Sequence, residues 1–260
     1  MTTMRAILAG SGVLPNLLLQ AEPAYVVKFR GVQVAPFKAP PIKARFEALG
    51  RLFDDLRAKH VSEVCLAGAM SRPSLDPVAF DPFTAKLMPT LMQAMGQGDD
   101  ALLRAIIEVI EGQGFKVIAA HEVRPDLVAQ AGVIAGAKVG SEDAARGRAV
   151  LEALGPLDVG QGAIVAKGQV LGVETLQGTD AMLEFVGRTR PGSGGIFVKR
   201  PKLGQDLRVD MPAIGPDTIH AAARAGLSGI EIATGEVLIL DRAAVTEACL
   251  QTGMNLWAGP

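Results

Sequence analysis

Residues 5–15 read RAILAGSGVLP, a short apolar run followed by a glycine-rich turn. The run Arg5–Ala9 predicts a buried strand, and the sequence from about Leu14 predicts a helix. Because the small residues at Gly10–Gly12 let the chain turn sharply, this order is typical of the first strand and helix of an α/β domain. The stretch therefore predicts a parallel sheet covered by helices.

The same alternation continues through the first half of the chain. The predicted strands are Tyr25–Phe29, Val61–Leu66 and Phe115–Ala120, and the predicted helices are Ile42–Lys59 and Ala101–Glu111. Strand–helix–strand order implies parallel pairing. Residues 1–131 are therefore predicted to form an N-terminal Rossmann-like domain.

The pattern changes in the second half, after a stretch rich in glycine and alanine. Antiparallel pairing enters with a hairpin of Gly162–Ala166 and Gln169–Glu174, joined by Lys167-Gly168. The other predicted elements are helices at Ser141–Leu154 and from Asp180, Pro216 and Asp241, and strands at Gly195–Lys199, Ile230–Ala233 and Val237–Leu240. Residues 132–260 are therefore predicted to form a C-terminal α/β domain with a mixed sheet.

Composition excludes several classes of protein. The 260 residues carry 26 basic and 27 acidic side chains, so no basic surface for nucleic acid is indicated. Two cysteines without a CxxC spacing favour a reducing compartment over a disulfide scaffold. Signal-peptide features are missing, and no apolar segment reaches the roughly 20 residues that span a bilayer. A cytoplasmic protein is expected.

The glycine turn matches only half of a dinucleotide-binding fingerprint. Pro15 replaces the third glycine, and Lys28 and Arg30 occur where an acidic residue would bind ribose. These departures disfavour a nicotinamide dehydrogenase. Backbone N–H groups at Gly10, Ser11 and Gly12 could still contact a phosphate, and a tight strand–helix turn explains the glycines equally well.

Two further loops carry polar residues that could bind an anion or a cation. AGAMSRP follows the strand Val61–Leu66 and places Ser71 and Arg72 at its carboxyl end, where ligands of open parallel sheets bind. GQGDD places Asp99 and Asp100 before a helix, where capping explains one of them. Arg72 could also be merely solvated.

A methionine-rich segment lies between these loops. Its apolar residues are Phe80, Phe83, Leu87, Met88, Leu91, Met92 and Met95. Such a stripe is usually core, but the unbranched methionine side chain also adapts to irregular apolar ligands such as a lipid chain.

Charged residues of the second half concentrate in two stretches. GTDAML places Thr179 and Asp180 at a helix start, as caps or as ligands of a cation or phosphate. VKRPKLGQDLRVD offers Lys199, Lys202 and Gln205, and read as a strand it puts Asp206, Arg208 and Asp210 on one face. Such charges need partners or a ligand if buried, whereas an exposed edge strand would carry them freely.

Other chemistries find little support. The three histidines, at positions 60, 121 and 220, lack zinc-ligand spacing, and neither GxSxG nor GxxxxGK[ST] occurs. Carboxylates combined with lysine and arginine suit Mg²⁺-assisted phosphoryl chemistry.

With these motifs assembled, the sequence resembles the LpxI-type UDP-2,3-diacylglucosamine pyrophosphatases. The motifs that carry the resemblance are AGSGVLP, AGAMSRP, GDDALLRAI, GFKVIAAHEV, LDVGQGAIV, VLGVETLQGTDAML, VKRPKLGQDLRVDMPAIGPDTI and GEVLILDR. The resemblance implies an enzyme of lipid A biosynthesis in Gram-negative bacteria. It would use Mg²⁺ to split UDP-2,3-diacylglucosamine into UMP and lipid X, act as a homodimer and contact the inner membrane transiently.

The resemblance implies a catalytic role for Asp210, and the residue patterns supply candidates around it. Metal ligands are expected at Asp210, Asp180 and Asp206, and stabilisation of phosphate charge is expected from Lys199 and Lys202. Substrate contacts are expected at Gly10, Ser11, Gly12, Ser71, Arg72, Asp99, Thr179, Asp180, Gln205 and Arg208. Two alternatives stay open: a non-enzymatic carrier of a nucleotide-sugar lipid, and a nucleotide-dependent oxidoreductase or ligase built on the GxG turn.

Overall fold

A computed structural model describes residues 4–260, which divide into two compact units. The first unit contains the described residues up to Pro125 together with Arg208–Asp210. The second contains Asp126–Leu207 and Met211–Pro260. Among the described residues, no helix combines the length and the apolar character that crossing a membrane requires.

The first unit is built on a five-stranded parallel sheet. Its elements are β1 Met4–Ala9, α1 Leu14–Ala21, β2 Tyr25–Phe29, β3 Ile42–Ala44, α2 Leu49–Ala58, β4 Val61–Ala67, α3 Pro82–Met95, α4 Asp99–Gly112, β5 Lys116–Ile118 and α5 Ala120–Val123. The strand order is β3-β2-β1-β4-β5, and every neighbouring pair is parallel. The Rossmann-like prediction is confirmed. Its central strand β1 is the apolar run that precedes the glycine turn.

One helix prediction in this unit is partly wrong. The predicted helix Ile42–Lys59 is a short strand, β3, followed by the helix α2. β3 is parallel to β2, with Ile42 opposite Val27 in the register. Phe46 stacks on Phe29 with the ring centroids 4.3 Å apart. The apolar residues of this segment have helical spacing, but its first part pairs with a neighbouring strand instead. Sequence periodicity does not report such pairing.

The glycine turn after β1 packs directly against the loop after β4. Ser11 and Ala69 exchange backbone hydrogen bonds, with N···O distances of 2.8 and 3.1 Å. A Cβ atom on Gly10 would lie 2.5 Å from the carbonyl oxygens of both Gly68 and Ala69. The two loops can therefore meet only because Gly10 has no side chain.

Gly10→Ala is expected to destabilise the protein by about 1–3 kcal/mol, the usual cost of overpacking, because backbone atoms block the added methyl group. Thermal melting followed by circular dichroism measures the effect. Gly112→Ala is the matched control, since a Cβ there has no atom within 4 Å and lies in helix α4. Equal melting temperatures for the Gly10 variant and the wild type would contradict the steric argument.

The second unit is built on a six-stranded mixed sheet. Its elements are β6 Gly132–Ala135, α6 Ser141–Leu154, β7 Gly162–Ala166, β8 Gln169–Val173, α7 Gly178–Thr189, β9 Ile196–Lys199, β10 Ala213–Ile214, α8 Pro216–Arg224, β11 Gly229–Ala233, β12 Leu238–Ile239, α9 Arg242–Thr252 and β13 Asn255–Gly259. The order is β6-β13-β11-β9-β7-β8, with β13, β11 and β9 parallel and the other neighbours antiparallel. The mixed-sheet prediction is confirmed.

Helices cover both faces of this sheet. α6 packs on one face through Ala144 and Leu151, in a cluster that includes Trp257. α7, α8 and α9 supply residues such as Leu183, Ile219 and Val245 to the larger cluster. The sheet is therefore the middle of three layers, and the carboxyl end of its strand β9 leads into the charged stretch of the sequence.

Two strands of this sheet, β6 and β13, were missed by the sequence reading. The missed strand β13 lies between β6 and β11, and its Trp257 is 1% exposed. Its sequence NLWAGP is short, with glycine and proline at its end, which lowers strand propensity. Pairing on both sides stabilises it nonetheless.

Candidate active site

The predicted phosphate loop of the first unit uses part of its backbone hydrogen-bonding capacity internally. The N–H of Gly10 donates to the carbonyl of Ala67 at 2.7 Å, and that of Ser11 donates to Ala69 at 2.8 Å. The Ser11 hydroxyl donates to the same Ala69 carbonyl at 3.1 Å. Gly12 has a φ of +95°. The close loop packing accounts for Gly10 structurally, and a phosphate contact of Gly10–Gly12 stays a prediction.

Two residues predicted to bind substrate form an ion pair in the first unit. The Arg72 guanidinium donates to the Asp99 carboxylate at 2.5 Å, and both side chains are more than half exposed. α4 begins at Asp99 after Gly98, and Asp100 pairs with Arg104 one turn later. An exposed ion pair contributes little stability, so the Arg72–Asp99 pair is open to competition by a ligand.

The chain between Gln205 and Ala213 is not the strand that alternation predicted. Residues 207–209 form a turn, and the next strand, β10, begins only at Ala213. Gly204 has a φ of +79°, which bends the chain before this turn. The prediction that Asp206 and Asp210 share one face of a strand is therefore wrong.

Residues 208–210 are held by side-chain contacts with the first unit and not by pairing with a strand. Val209 packs against the core cluster of the first unit, and Arg208 donates to the Glu111 carboxylate at 2.9 Å. These contacts hold the chain immediately before Asp210, which is partly buried. Asp206 belongs to the second unit.

Lys199 lies in a buried ionic cluster of the second unit. Its ammonium donates to both carboxylate oxygens of Glu174, at 3.1 and 2.9 Å, and to the Thr179 hydroxyl at 2.6 Å. The Thr179 hydroxyl in turn donates to Glu174 at 2.9 Å. Lys199 is 4% exposed. The structure thus joins the predicted Lys199 and Thr179 through Glu174, a residue that the sequence reading did not single out.

The next charged residues are held by the loop before β7. The Lys202 ammonium forms an ion pair with Asp158. The backbone N–H of Lys202 donates to the side-chain oxygen of Gln205 at 2.9 Å. The same side-chain oxygen of Gln205 also accepts from the side-chain amide of Gln161 at 3.0 Å. The motif LDVGQG therefore positions the predicted Lys202 and Gln205.

Asp180 lines a groove between α7 and α8 in the second unit. The groove encloses about 520 Å³. Its lining residues are Asp180, Leu183, Glu184, Gly187, Arg188, Asp217, Ala221, Arg224 and Ala225. Asp180 and Asp217 occur in the first turns of their helices, where their charge offsets the helix dipole. Both capping and ligand binding remain compatible with Asp180.

Mg²⁺ fits the donor chemistry of these residues. Within residues 4–260, no group of three or more His, Cys, Asp or Glu side chains could hold a metal on its own. Mg²⁺ does not require one, because it takes one or two protein carboxylates together with substrate phosphate oxygens and water. The exposed carboxylate of Asp180 is a donor of that kind.

Neither cysteine is suited to act as a nucleophile. Burial raises the pKa of the Cys65 thiol to about 12 and that of the Cys249 thiol to about 11. The thiolate is the reactive form, so both groups are protonated at neutral pH. This agrees with the sequence, which places no activating residue beside them.

Thiol titration of the native protein at pH 8 is expected to detect neither cysteine, because both are buried and protonated. In denaturant, the same reagent is expected to detect both. Rapid modification of one thiol in the native protein would show that its surroundings are more open than the structure describes.

Comparison with known proteins shows which family the chain belongs to. Residues 4–127 match the LpxI N-terminal domain family, and residues 130–257 match the LpxI C-terminal domain family. The UDP-2,3-diacylglucosamine pyrophosphatase LpxI of Caulobacter vibrioides is 37% identical in an alignment that covers 95% of this chain and 94% of that protein. The chain therefore belongs to the LpxI family, as the motifs indicated.

Proposed function

We propose that this protein hydrolyses the pyrophosphate bond of UDP-2,3-diacylglucosamine to UMP and lipid X, a step of lipid A biosynthesis. The observation that carries the proposal is its 37% identity, across both domains, to a protein named for that activity. The chain also keeps the predicted cations Lys199 and Lys202, which pair with Glu174 and Asp158 in the second unit.

Mg²⁺ is proposed as the cofactor, with Asp210, Asp180 and Asp206 as its candidate ligands. When bound, it would withdraw charge from the pyrophosphate oxygens as a Lewis acid. Lys202 would offset charge that develops on phosphate oxygens. Lys199, whose ammonium is bound to Glu174 and Thr179, would support the site from its buried position. Thr179, Gln205 and Arg208 are proposed to contact substrate.

In the first unit, the proposed substrate contacts come from the glycine turn and the neighbouring loop. Gly10, Ser11 and Gly12 would approach a phosphate or the nucleotide through their backbone. Ser71 and Arg72 would contact a phosphate, with Arg72 exchanging Asp99 for it. The exposed Arg72–Asp99 pair supports this, because breaking it costs little.

The test is UMP release from UDP-2,3-diacylglucosamine with and without Mg²⁺. We expect release only with the metal.

The direction of attack is tested in ¹⁸O-labelled water. Water is expected to attack the sugar-side phosphorus, so the label should appear in lipid X. The bond between that phosphorus and the bridging oxygen breaks, and UMP leaves with the bridging oxygen. Label in UMP would contradict this direction of attack. Retained ligand without UMP release would indicate a carrier instead, and a bound dinucleotide or ATP would favour the oxidoreductase or ligase.

The acyl chains are proposed to contact helix α3. Its methionines include Met88, which is partly buried, and Met92, which is 65% exposed. Phe83 lies edge-on to Phe53 with the centroids 5.6 Å apart, so it also belongs to the core. An exposed, unbranched apolar side chain can pack against a flexible hydrocarbon.

Met92→Glu is expected to raise KM for long-chain substrate about tenfold while leaving a deacylated analogue unaffected, because a charge replaces apolar contact area. Competition assays with both compounds measure the difference. Leu250→Glu, at another exposed apolar position, 71% exposed, is the control. Equal effects on both substrates would show that Met92 does not contact the acyl chains.

A substrate with two acyl chains resides in a bilayer, so transient contact with the inner membrane from the cytoplasmic side is proposed as well. Homodimer formation is proposed from membership of the family. Sedimentation with phospholipid vesicles tests the first, and analytical ultracentrifugation tests the second.

A further inference from the structure

The cluster of Glu174, Lys199 and Thr179 connects three separate motifs of the second unit. Glu174 follows β8, Lys199 ends β9, and Thr179 lies in the first turn of α7. The three hydrogen bonds of the Lys199 ammonium end on Glu174 and Thr179, at 2.6–3.1 Å. The cluster is therefore a fixed junction between two strand ends and a helix start.

Two glycines make room for Glu174, one beside its carboxylate and one beside its backbone carbonyl. A Cβ on Gly162 would lie 2.6 Å from its Oε2 atom, and a Cβ on Gly160 would lie 2.0 Å from the Glu174 carbonyl oxygen. The Glu174 N–H donates to the Gly162 carbonyl at 2.8 Å. The VGQG motif thus determines where the carboxylate lies, and the fit leaves it little freedom to move.

Stability alone gives a weak reason for such a cluster. Removing a lysine and a carboxylate from water costs several kcal/mol, and replacing a buried ion pair by uncharged groups of the same volume is often neutral for stability. What the charged pair adds is a defined geometry. Through Thr179 the pair fixes the helix turn that carries Asp180. Through Lys199 it fixes the strand end that continues into Lys202.

We propose that Glu174 is a positioning residue of the pyrophosphatase site. It holds the Lys199 ammonium and the Thr179 hydroxyl in place, so that Asp180 and Lys202 are presented to the metal-bound pyrophosphate in a fixed arrangement. Glu174 itself touches neither substrate nor metal. The inference rests on the proposed function, since it concerns the geometry of that reaction.

The variants separate positioning from folding. Glu174→Gln removes the charge but leaves Lys199 buried without its counter-ion, so by itself it is expected to destabilise the unit. The double variant Glu174→Gln with Lys199→Met neutralises both partners at nearly constant volume, and the amide introduced by the first substitution can then donate to the Thr179 hydroxyl. Glu152→Gln, on the exposed side of α6, is the charge-matched control.

For the double variant we expect a melting temperature close to that of the wild type, with kcat lowered about 10–100-fold and the Mg²⁺ concentration for half-maximal activity raised, as when groups that orient metal ligands are removed. The control should match the wild type in all three. Wild-type kcat and Mg²⁺ dependence in the folded double variant would overturn the inference while leaving the proposed function intact. A wild-type protein that releases no UMP would overturn the proposed function and the inference with it.

Discussion

Asp210→Asn is expected to lower UMP release by at least about 100-fold, the scale on which enzymes depend on a group that acts directly in the reaction. The asparagine amide is a poorer Mg²⁺ ligand than a carboxylate and brings no negative charge. The variant should still fold, because the packing of Val209 and the Arg208–Glu111 pair help to hold this segment in the first unit. Steady-state kinetics at several Mg²⁺ concentrations measure the loss.

Asp54→Asn is the control for this variant. Asp54 is also an acid of the first unit, its side chain is 78% exposed, and it pairs only with Arg57 in the ion pairs described. It should leave UMP release unchanged. If Asp210→Asn retained wild-type turnover at low Mg²⁺, Asp210 would be removed from both its catalytic and its metal-binding roles.

Glu231→Ala is expected to destabilise the second unit by about 3–5 kcal/mol, because it removes one partner of a buried ion pair and leaves the other in place. Glu231 is 1% exposed and lies on the central strand β11. Its carboxylate accepts from Arg148 at 2.5 Å and from the Trp257 indole at 2.9 Å. Removing it leaves the indole N–H buried and deprives the guanidinium of its counter-charge.

The fluorescence of Trp257, the only tryptophan, reports unfolding of this unit in urea. Glu247→Ala is the control, since Glu247 is exposed on α9 and its side chain accepts only from Gln251 among the hydrogen bonds described. It should change the free energy of unfolding by less than about 0.5 kcal/mol. A midpoint for Glu231→Ala equal to that of the control would mean that this buried carboxylate contributes nothing to stability.

Much of the fold was predictable because its local signals agree with its tertiary contacts. The run Arg5–Ala9 is apolar after its first residue, as a central parallel strand must be when helices cover both faces. The hairpin at Lys167-Gly168 was predicted from turn chemistry, and both residues have positive φ. The predictions failed at Ile42–Ala44 and Asn255–Gly259 because partner strands, distant in sequence, make these segments strands.

The candidate site was predictable only in part. Residue types and motifs singled out Lys199, Thr179 and Asp180 as candidates, since polar residues at predicted strand ends and helix starts stand out in an apolar sequence. Glu174 was missed, although it immediately precedes TLQGTD and follows a glycine-containing strand. No periodicity shows that its carboxylate turns inward to a lysine 25 residues away.

Local sequence was enough to define the two α/β halves, the family and the set of charged residues from which a phosphoryl-transfer site could be made, because strand, helix and turn signals depend on neighbouring residues. It was not enough to show that Lys199 is buried against Glu174 or that Val209 packs into the first unit. Nor did it show that residues 207–209 form a turn, where alternation predicted a strand. Those outcomes depend on contacts between distant residues, whose burial and pairing energies exceed the local preferences of the chain.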